Sequence, residues 1–288
     1  MVEFEVPEID YDRYSNRQLA AVPLAVLAVA IAVLVGSYML TGSPVALGID
    51  FTGGSQMTVE TGMSQSEIRG SFSPEPVSVQ GVGSQDNTYV VTFDEDAGDI
   101  SSLTDQAEAA GMNVIGSGET PASFGDESQR LAVGGLLVAF VGMSLLAFAL
   151  FRTFVPSVAI IVSAFSDIVI PLAVLSLLQV ELSLGTVAAL LMLIGYSVDS
   201  DILLNNHILR RRGGFYESTY AAMQTGVTMT LTSIAAMTVM AVMADFYNIE
   251  LMAQIGFVLV VGLTADLMNT YMLNLSLLRW YRFEGVAR

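Results

Sequence analysis

Cysteine and lysine are absent from this 288-residue chain, and histidine occurs once, at His207. Without cysteine there is no disulfide, no thiol catalysis and no cysteine-ligated metal. One histidine excludes a histidine-rich zinc site. Charge is sparse: charged residues make up 14% of the chain, against about 25% in soluble domains. The 53% of hydrophobic residues fall in long uncharged blocks, and about 20 such residues cross a bilayer as a helix. The charges that remain are unbalanced, with 11 arginines against 28 acids and a net charge of −17. Fourteen acids lie between Thr41 and Arg130, opposed only by Arg69 and Arg130, which leaves that segment near −12. A nucleic-acid binder would be basic there. The acidity reads as adaptation to high salt, where repulsion between carboxylates is screened. An acidic face for a basic partner is the alternative.

The apolar blocks predict an α-helical membrane protein with spans at Leu19–Leu40, Leu131–Phe151, Pro156–Leu178, Leu184–Asn206, Thr219–Met243 and Leu251–Leu278. The expected plan is a tail over residues 1–18, the first helix over 19–40, a folded domain over 41–130, five further spans within 131–278, and a tail over 279–288. Arg13, Arg17, Arg152, Arg210, Arg211, Arg212, Arg279, Arg282 and Arg288 all fall on one side of six spans, which marks that side as cytoplasmic. Both termini are then cytoplasmic, and residues 41–130 are extracytoplasmic. The tail before span one is acidic (Glu3, Glu5, Glu8, Asp10, Asp12), unlike a signal peptide, so span one reads as an uncleaved anchor. Arg210–Arg212 reads as a topology determinant, with headgroup binding as the other reading.

In the extracytoplasmic segment, β-rich runs occur at Phe51–Glu60, Pro76–Val82 and Thr88–Phe93, with a turn at Gly83–Asn87. Ser64-Gln65-Ser66-Glu67 opens a short helix with capping-box spacing. A second helix begins near Asp99–Ser101, places Ile100, Leu103, Ala107 and Ala110 on one face, and stops at Gly111. Val114 and Ile115 begin a last strand. The order β-α-β-β-α-β predicts a small α+β ferredoxin-like domain. It contains nothing like a catalytic centre, so it reads as a binding or coupling module and the chain as a non-enzyme.

Ionisable residues inside a span are costly and signal function. Four aspartates qualify as ion-coupling candidates: Asp167, Asp199, Asp201 and Asp266. Asp199 and Asp201 are two apart and point to roughly opposite sides of a helix. Asp199 is expected inside, because Asp201 can approach Arg210 and the interface. Pro171 has no N–H for the carbonyl of Asp167, leaving an acid and a free carbonyl at one depth. The alternative is that the aspartates only hydrogen-bond Thr225, Thr228, Thr230, Thr232, Ser233, Asn269 or Asn274. His207 reads as an interface residue. No cofactor or metal is expected beyond a coupling proton or sodium ion.

After span one stands Gly48-Ile49-Asp50-Phe51-Thr52-Gly53-Gly54, and span four reads Gly195-Tyr196-Ser197-Val198-Asp199-Ser200-Asp201. Together these resemble the SecF family of accessory subunits of the general secretion pathway. The related SecD family has a different fifth residue and a larger outer domain. Span three carries Ser166-Asp167-Ile168 where bacterial members have a histidine–aspartate pair. Span four has Asp199 then Ser200 where they have asparagine then aspartate. In span five the bacterial arginine position is Thr228, within a polar face of Thr225, Thr228 and Thr232. Asp266 stands where bacteria have small hydroxyl residues. These departures and the acidic composition resemble an archaeal, salt-adapted member, in which a bacterial acid–arginine relay cannot be copied.

The resemblance implies half of a twelve-span transporter of the resistance-nodulation-division group. Its expected partners are SecD as the other half, a SecYE-type channel, the translocating polypeptide and the lipid bilayer, with no nucleic acid. The implied function is use of an ion gradient to promote export across the cell membrane. Gly48, Asp50, Phe51, Gly53 and Gly54 are then structural, with Asp50 capping its own turn. A phosphate cradle is the other reading of that stretch, but it lacks a lysine and a long following helix. The competing functions are a small-molecule or lipid exporter of the same group and an intramembrane aspartyl protease, whose Tyr-Asp and Gly-x-Gly-Asp pairs are absent.

Overall fold

The computed structural model describes residues 11–81, 87–210, 214–247 and 249–284. The acidic stretch through Asp10, most of the Gly83–Asn87 turn, Arg211, Arg212 and Arg288 lie outside the described residues.

Among the described residues, six helices are long and apolar enough to cross a membrane. They are α1 (Asn16–Thr41), α5 (Ala122–Phe151), α6 (Phe154–Leu178), α7 (Leu184–Arg210), α8 (Phe215–Phe246) and a composite sixth span. That span is α9 (Glu250–Met268), a π-helical segment (Asn269–Asn274) and α10 (Leu275–Phe283). Between α1 and α5 stand a one-turn helix α2 (Ile49–Thr52), β1 (Gly54–Glu60), α3 (Gln65–Gly70), β2 (Ser78–Gly81), β3 (Thr88–Phe93), α4 (Ile100–Ala109) and β4 (Asn113–Thr120).

The small domain is ferredoxin-like, with an antiparallel sheet of order β2-β3-β1-β4. Its helices start as the sequence signals: Ser64 and Glu67 close a reciprocal capping box on α3, and Asp99 caps α4. Alternate strand residues Met57, Val59, Val79, Val91 and Phe93 pack on Ile68, Leu103 and Ala107 to make its core.

In the bundle, α6 is the central helix, buried on most of its faces. It packs on α1 through Val169, Ile170 and Ala173 against Leu27 and Ala30. It packs on α7 and α9 through Ile168 and Leu175 against Leu190, Leu193, Val258 and Leu263. At the end bearing the chain termini, Arg279 Nη1 donates to the carbonyls of Tyr11 (2.9 Å) and Tyr14 (2.8 Å) and stacks over Tyr216. That contact ties the segment before α1 to the ends of two other spans.

Helix α5 begins nine residues before the span expected at Leu131. Pro121 supplies a start signal, and the polar turns that follow lie against the glycine motif. Gly53 and Gly54 adopt φ +75° and +111°, and Cβ atoms there would stand 2.6 Å from Ala122 Cα and 2.3 Å from the Phe93 carbonyl oxygen. Gly125 on α5 meets the Phe51 carbonyl from the other side, 2.9 Å from where its Cβ would be. The motif is thus a close crossing of two backbones, open only to glycine.

Gly54→Ala is therefore expected to destabilise the small domain by about 3 kcal/mol, from left-handed strain and overpacking. Gly116→Ala, with open space around it, is expected to stay within about 0.5 kcal/mol. Thermal melts of the two purified variants, followed by circular dichroism, separate these outcomes.

Candidate functional site

Span four presents Ser197, Ser200, Asp201 and Asn205 to the bundle interior, all 3% exposed or less. Span six presents Asp266, Asn269, Thr270 and Asn274, all 1% exposed or less. Both sets follow the spacing i, i+3, i+4, i+8. At 3.6 residues per turn the last member would lie about 80° around the helix from the first. The π segment, whose turn is wider, rotates each residue less and brings Asn274 back into line.

The two ladders meet with Asp167 of α6 between them, 1% exposed. Asp167 accepts from Ser197 Oγ at 2.5 Å and from Asn269 Nδ2 at 2.6 Å. Asp201 Oδ1 accepts from Asn274 Nδ2 at 2.7 Å and Thr270 Oγ1 at 2.9 Å. Asp266 accepts from Ser200 Oγ at 3.0 and 3.1 Å. Thr270 Oγ1 also lies 3.3 Å from Asp266 Oδ1. Each hydroxyl has one proton, so Thr270 serves Asp201 or Asp266 but not both. Ser200 is divided in the same way between Asp266 and the Ser197 carbonyl. Asp266 is left with no donor of its own.

Three further acceptors in the same place are buried without a close partner among the described residues: Asn205 Oδ1, Asn269 Oδ1 and Asp201 Oδ2, the last with the buried Ser163 hydroxyl beside it as a weaker donor. The two amides are oriented by what their nitrogens do. Asn269 Nδ2 donates to Asp167, and Asn205 Nδ2 donates to the Asp201 carbonyl at 2.7 Å and to Asn274 Oδ1 at 3.4 Å. No arginine or lysine occurs in the sequence from Thr153 to Leu209 or from Gly213 to Leu278. The cluster thus offers oxygen acceptors, and the mid-span sequence offers no basic side chain to balance them.

The structure reverses the expected placement of Asp199 and Asp201. Asp201 is fully buried, and Asp199 is exposed. The face of α7 that packs inward is fixed by Leu190, Leu193, Ser197 and Leu204, and Asp201 falls on it. Asp199 lies on the opposite stripe with Ala188, Met192 and Asn206, where Gly195 also has open space. Thr225, Thr228 and Thr232 are a second correction: none of them is buried, and Thr228 and Thr232 donate to their own helix at Gln224 and Met229. Of the alternative partners for the aspartates, Asn269 and Asn274 do bond them. Ser197, Ser200 and Thr270 escaped the sequence reading, although the repeated i, i+3, i+4, i+8 spacing was a usable signal. Tyr196 reaches across to span five, its hydroxyl 3.3 Å from Thr230 Oγ1.

Asp50 does not cap its own turn. Its Oδ2 accepts from the backbone N–H of Leu184 at 2.9 Å, capping α7 from across the molecule. Gly48 begins α2, and Phe51 is 4% exposed in the packing beneath it. His207 Nδ1 lies 2.9 Å from the Leu203 carbonyl oxygen.

A family model described as "Protein export membrane protein SecD/SecF, C-terminal" matches residues 101–284, and a SecD/SecF GG motif model matches residues 38–65. The chain is 64% identical over 288 residues to the SecF protein of Haloferax volcanii, covering 100% of both chains. It is 62% identical over 292 residues to that of Haloquadratum walsbyi, again covering 100% of both. It is 35% identical to that of Pyrococcus furiosus, over 92% of this chain and 90% of that protein. Among solved structures, SecDF from Thermus thermophilus superposes with a TM-score of 0.76 at 20% identity, covering 96% of this chain. SecDF in its super-membrane-facing form gives a TM-score of 0.60 at 22% identity, covering 98%. The chain spans 39% of each of those two chains.

Replacing Thr270 by valine withdraws a buried donor shared by two carboxyls and is expected to cost about 1–3 kcal/mol. Thr232→Val, on the exposed face, is expected to stay within about 0.5 kcal/mol. Melting temperatures in detergent at fixed salt report the difference.

Proposed function

The chain belongs to the SecF family of protein-export membrane proteins, and from that premise we propose that it couples ion entry through the Asp167–Asp201–Asp266 cluster to Sec-dependent polypeptide export. It is a membrane-embedded accessory subunit of Sec translocation, and the small-molecule exporter reading is not favoured. One observation carries the coupling: three buried carboxyls from three different spans share hydroxyl donors and have no basic residue at their depth. Three carboxylates in so small a volume require compensating positive charge. Protons or a sodium ion supply it. Asp201 Oδ2, Asn205 Oδ1 and Asn269 Oδ1 are the acceptors open to either. The membrane potential adds about 2.3 kcal/mol per charge per 100 mV. No catalytic step is assigned to the chain.

The partner is a SecD subunit acting as a second six-span half. The exposed polar stripe of α7 and α8 supports this, because Asp199, Gln224 and Thr225 facing lipid would be costly, and the SecDF chains contain more than twice this chain's length. The SecYE-type channel and the emerging polypeptide are the further contacts. The arginine distribution supports cytoplasmic termini, with the small domain on the outer face.

Asp201→Asn and Asp266→Asn are each expected to lower export at least tenfold while the complex with the companion subunit still co-purifies intact. Export of a secreted reporter, measured beside that co-purification, is the test. Wild-type export in both variants would remove the coupling and leave an assembly role.

A further inference from the structure

One short connection, residues 179–183 between α6 and α7, touches both parts of the small domain's base. Leu182 N donates to the Ala46 carbonyl at 2.7 Å, and Gly48 N donates to the Leu182 carbonyl at 2.9 Å, forming a parallel bridge beside the glycine motif. Two residues on, Leu184 N donates to Asp50 Oδ2. One residue before, Glu181 reaches the other way. Its Oε1 accepts from Ser78 Oγ at 3.2 Å and from Gln80 Nε2 at 3.3 Å, both on the edge strand β2. A cavity of about 210 Å³ lies here, lined by Gly48, Asp50, Gln56, Glu181, Ser183 and Gln254.

The two carboxyl contacts differ in strength. Asp50 meets a backbone N–H at a helix N-terminus, where negative charge is favoured, and two backbone bonds accompany it. Glu181 meets two neutral side-chain donors on a single oxygen. Burial pushes its pKa above the ordinary carboxylate range, with the Ser78 bond pulling only partly back. A carboxylate held this way gives up hydration for weak partners, so this contact is the easier of the two to open. Release leaves the domain attached at residues 46–48, and the adjoining cavity gives water a place beside the freed carboxylate.

We propose that Asp50 and Glu181 are positioning residues joining the small domain to span four, Asp50 as a fixed pivot and Glu181 as a contact that opens and closes during export. This rests on the ion-coupled reading. Helix α7 runs without a break from Leu184 to Ser197, Ser200 and Asp201, about 25 Å at 1.5 Å per residue. A shift of α7 when the cluster changes its occupant therefore arrives directly at the connection.

The chain has no native thiol, so Gln80→Cys with Glu181→Cys introduces a unique pair. In cells carrying this double variant, a short bis-methanethiosulfonate bridge is expected to lower export at least tenfold, with recovery on reduction and no loss of the companion subunit. A merely structural contact would tolerate being made permanent, so wild-type export by the bridged protein overturns the proposal. Glu181→Gln, which keeps the accepting oxygen, is expected to export at half the wild-type rate or better, and Glu181→Ala several-fold more slowly. Equal rates for the two count against the contact. A second measurement needs no variant: amide exchange at residues 78–81 in the wild-type complex is expected to quicken when an ion gradient is imposed, and an unchanged rate overturns the proposal. Export lost in Asp201→Asn but normal in the bridged pair removes the moving contact alone. The converse removes the ion-coupled reading and leaves the joint.

Discussion

Everything in the bundle's centre depends on hydrogen-bonding three carboxyls that have left water without a basic partner. Asp167, Asp201 and Asp266 come from three spans, and each is met by hydroxyls or amides from spans four and six. Ser197, Ser200 and Asp201 share the inward face of α7 with Leu190, Leu193 and Leu204. The hydrogen-bonding requirement accounts for the π segment of span six: six residues at Asn269–Asn274 depart from α-geometry where Asn269, Thr270 and Asn274 must all point one way. A π turn inside an α-helix costs good hydrogen-bond geometry and is found mostly at functional positions. Here it is the local distortion that lets two ladders with one spacing interlock.

The arrangement is satisfied only in part among the described residues, and the ion-coupled reading rests on that. A structural polar core would pair every acceptor, since an unpaired buried oxygen costs about 1–3 kcal/mol. This one leaves three acceptors open and makes two hydroxyls serve several oxygens. On the ion-coupled reading, adding or removing one positive charge would redistribute the protons of Ser200 and Thr270, and with them the contacts between α7 and span six. Such a cluster has more than one arrangement of similar energy, which a device that cycles between states needs.

The sequence was legible where one physical rule dominates. Six apolar runs gave six spans, and the capping signals of Ser64 and Asp99 marked where the small domain's helices begin. It was misleading where two rules compete. The two-residue spacing sets Asp199 and Asp201 on opposite sides of α7, but the nearness of Arg210 in sequence points to the wrong one as the outward residue. The packing face instead follows Ser197, Ser200 and Asn205. The apolar run points to a start of α5 at Leu131, whereas the helix begins nine residues earlier, after Pro121, through a stretch in which six residues are polar and which lies against the glycine motif. Asp50 shows a third case. A cap that joins residues 134 apart in sequence leaves no local pattern to read.

The glycine motif gains a reason from these contacts. Its glycines bring β1, β3 and α5 to within backbone distance, and that crossing sets Asp50 above the first turn of α7. A bulkier residue at Gly53 or Gly54 would displace the turn and with it the carboxylate. The motif meets α7 at its first residue, and the carboxyl cluster meets it from Ser197 onward. A helix transmits axial and rotational displacement without changing its hydrogen bonds. The small domain therefore needs no separate machinery to sense the cluster. It needs a rigid grip on α7, which Asp50 and the Leu182 bridge provide, and one weaker contact, at Glu181, free to respond.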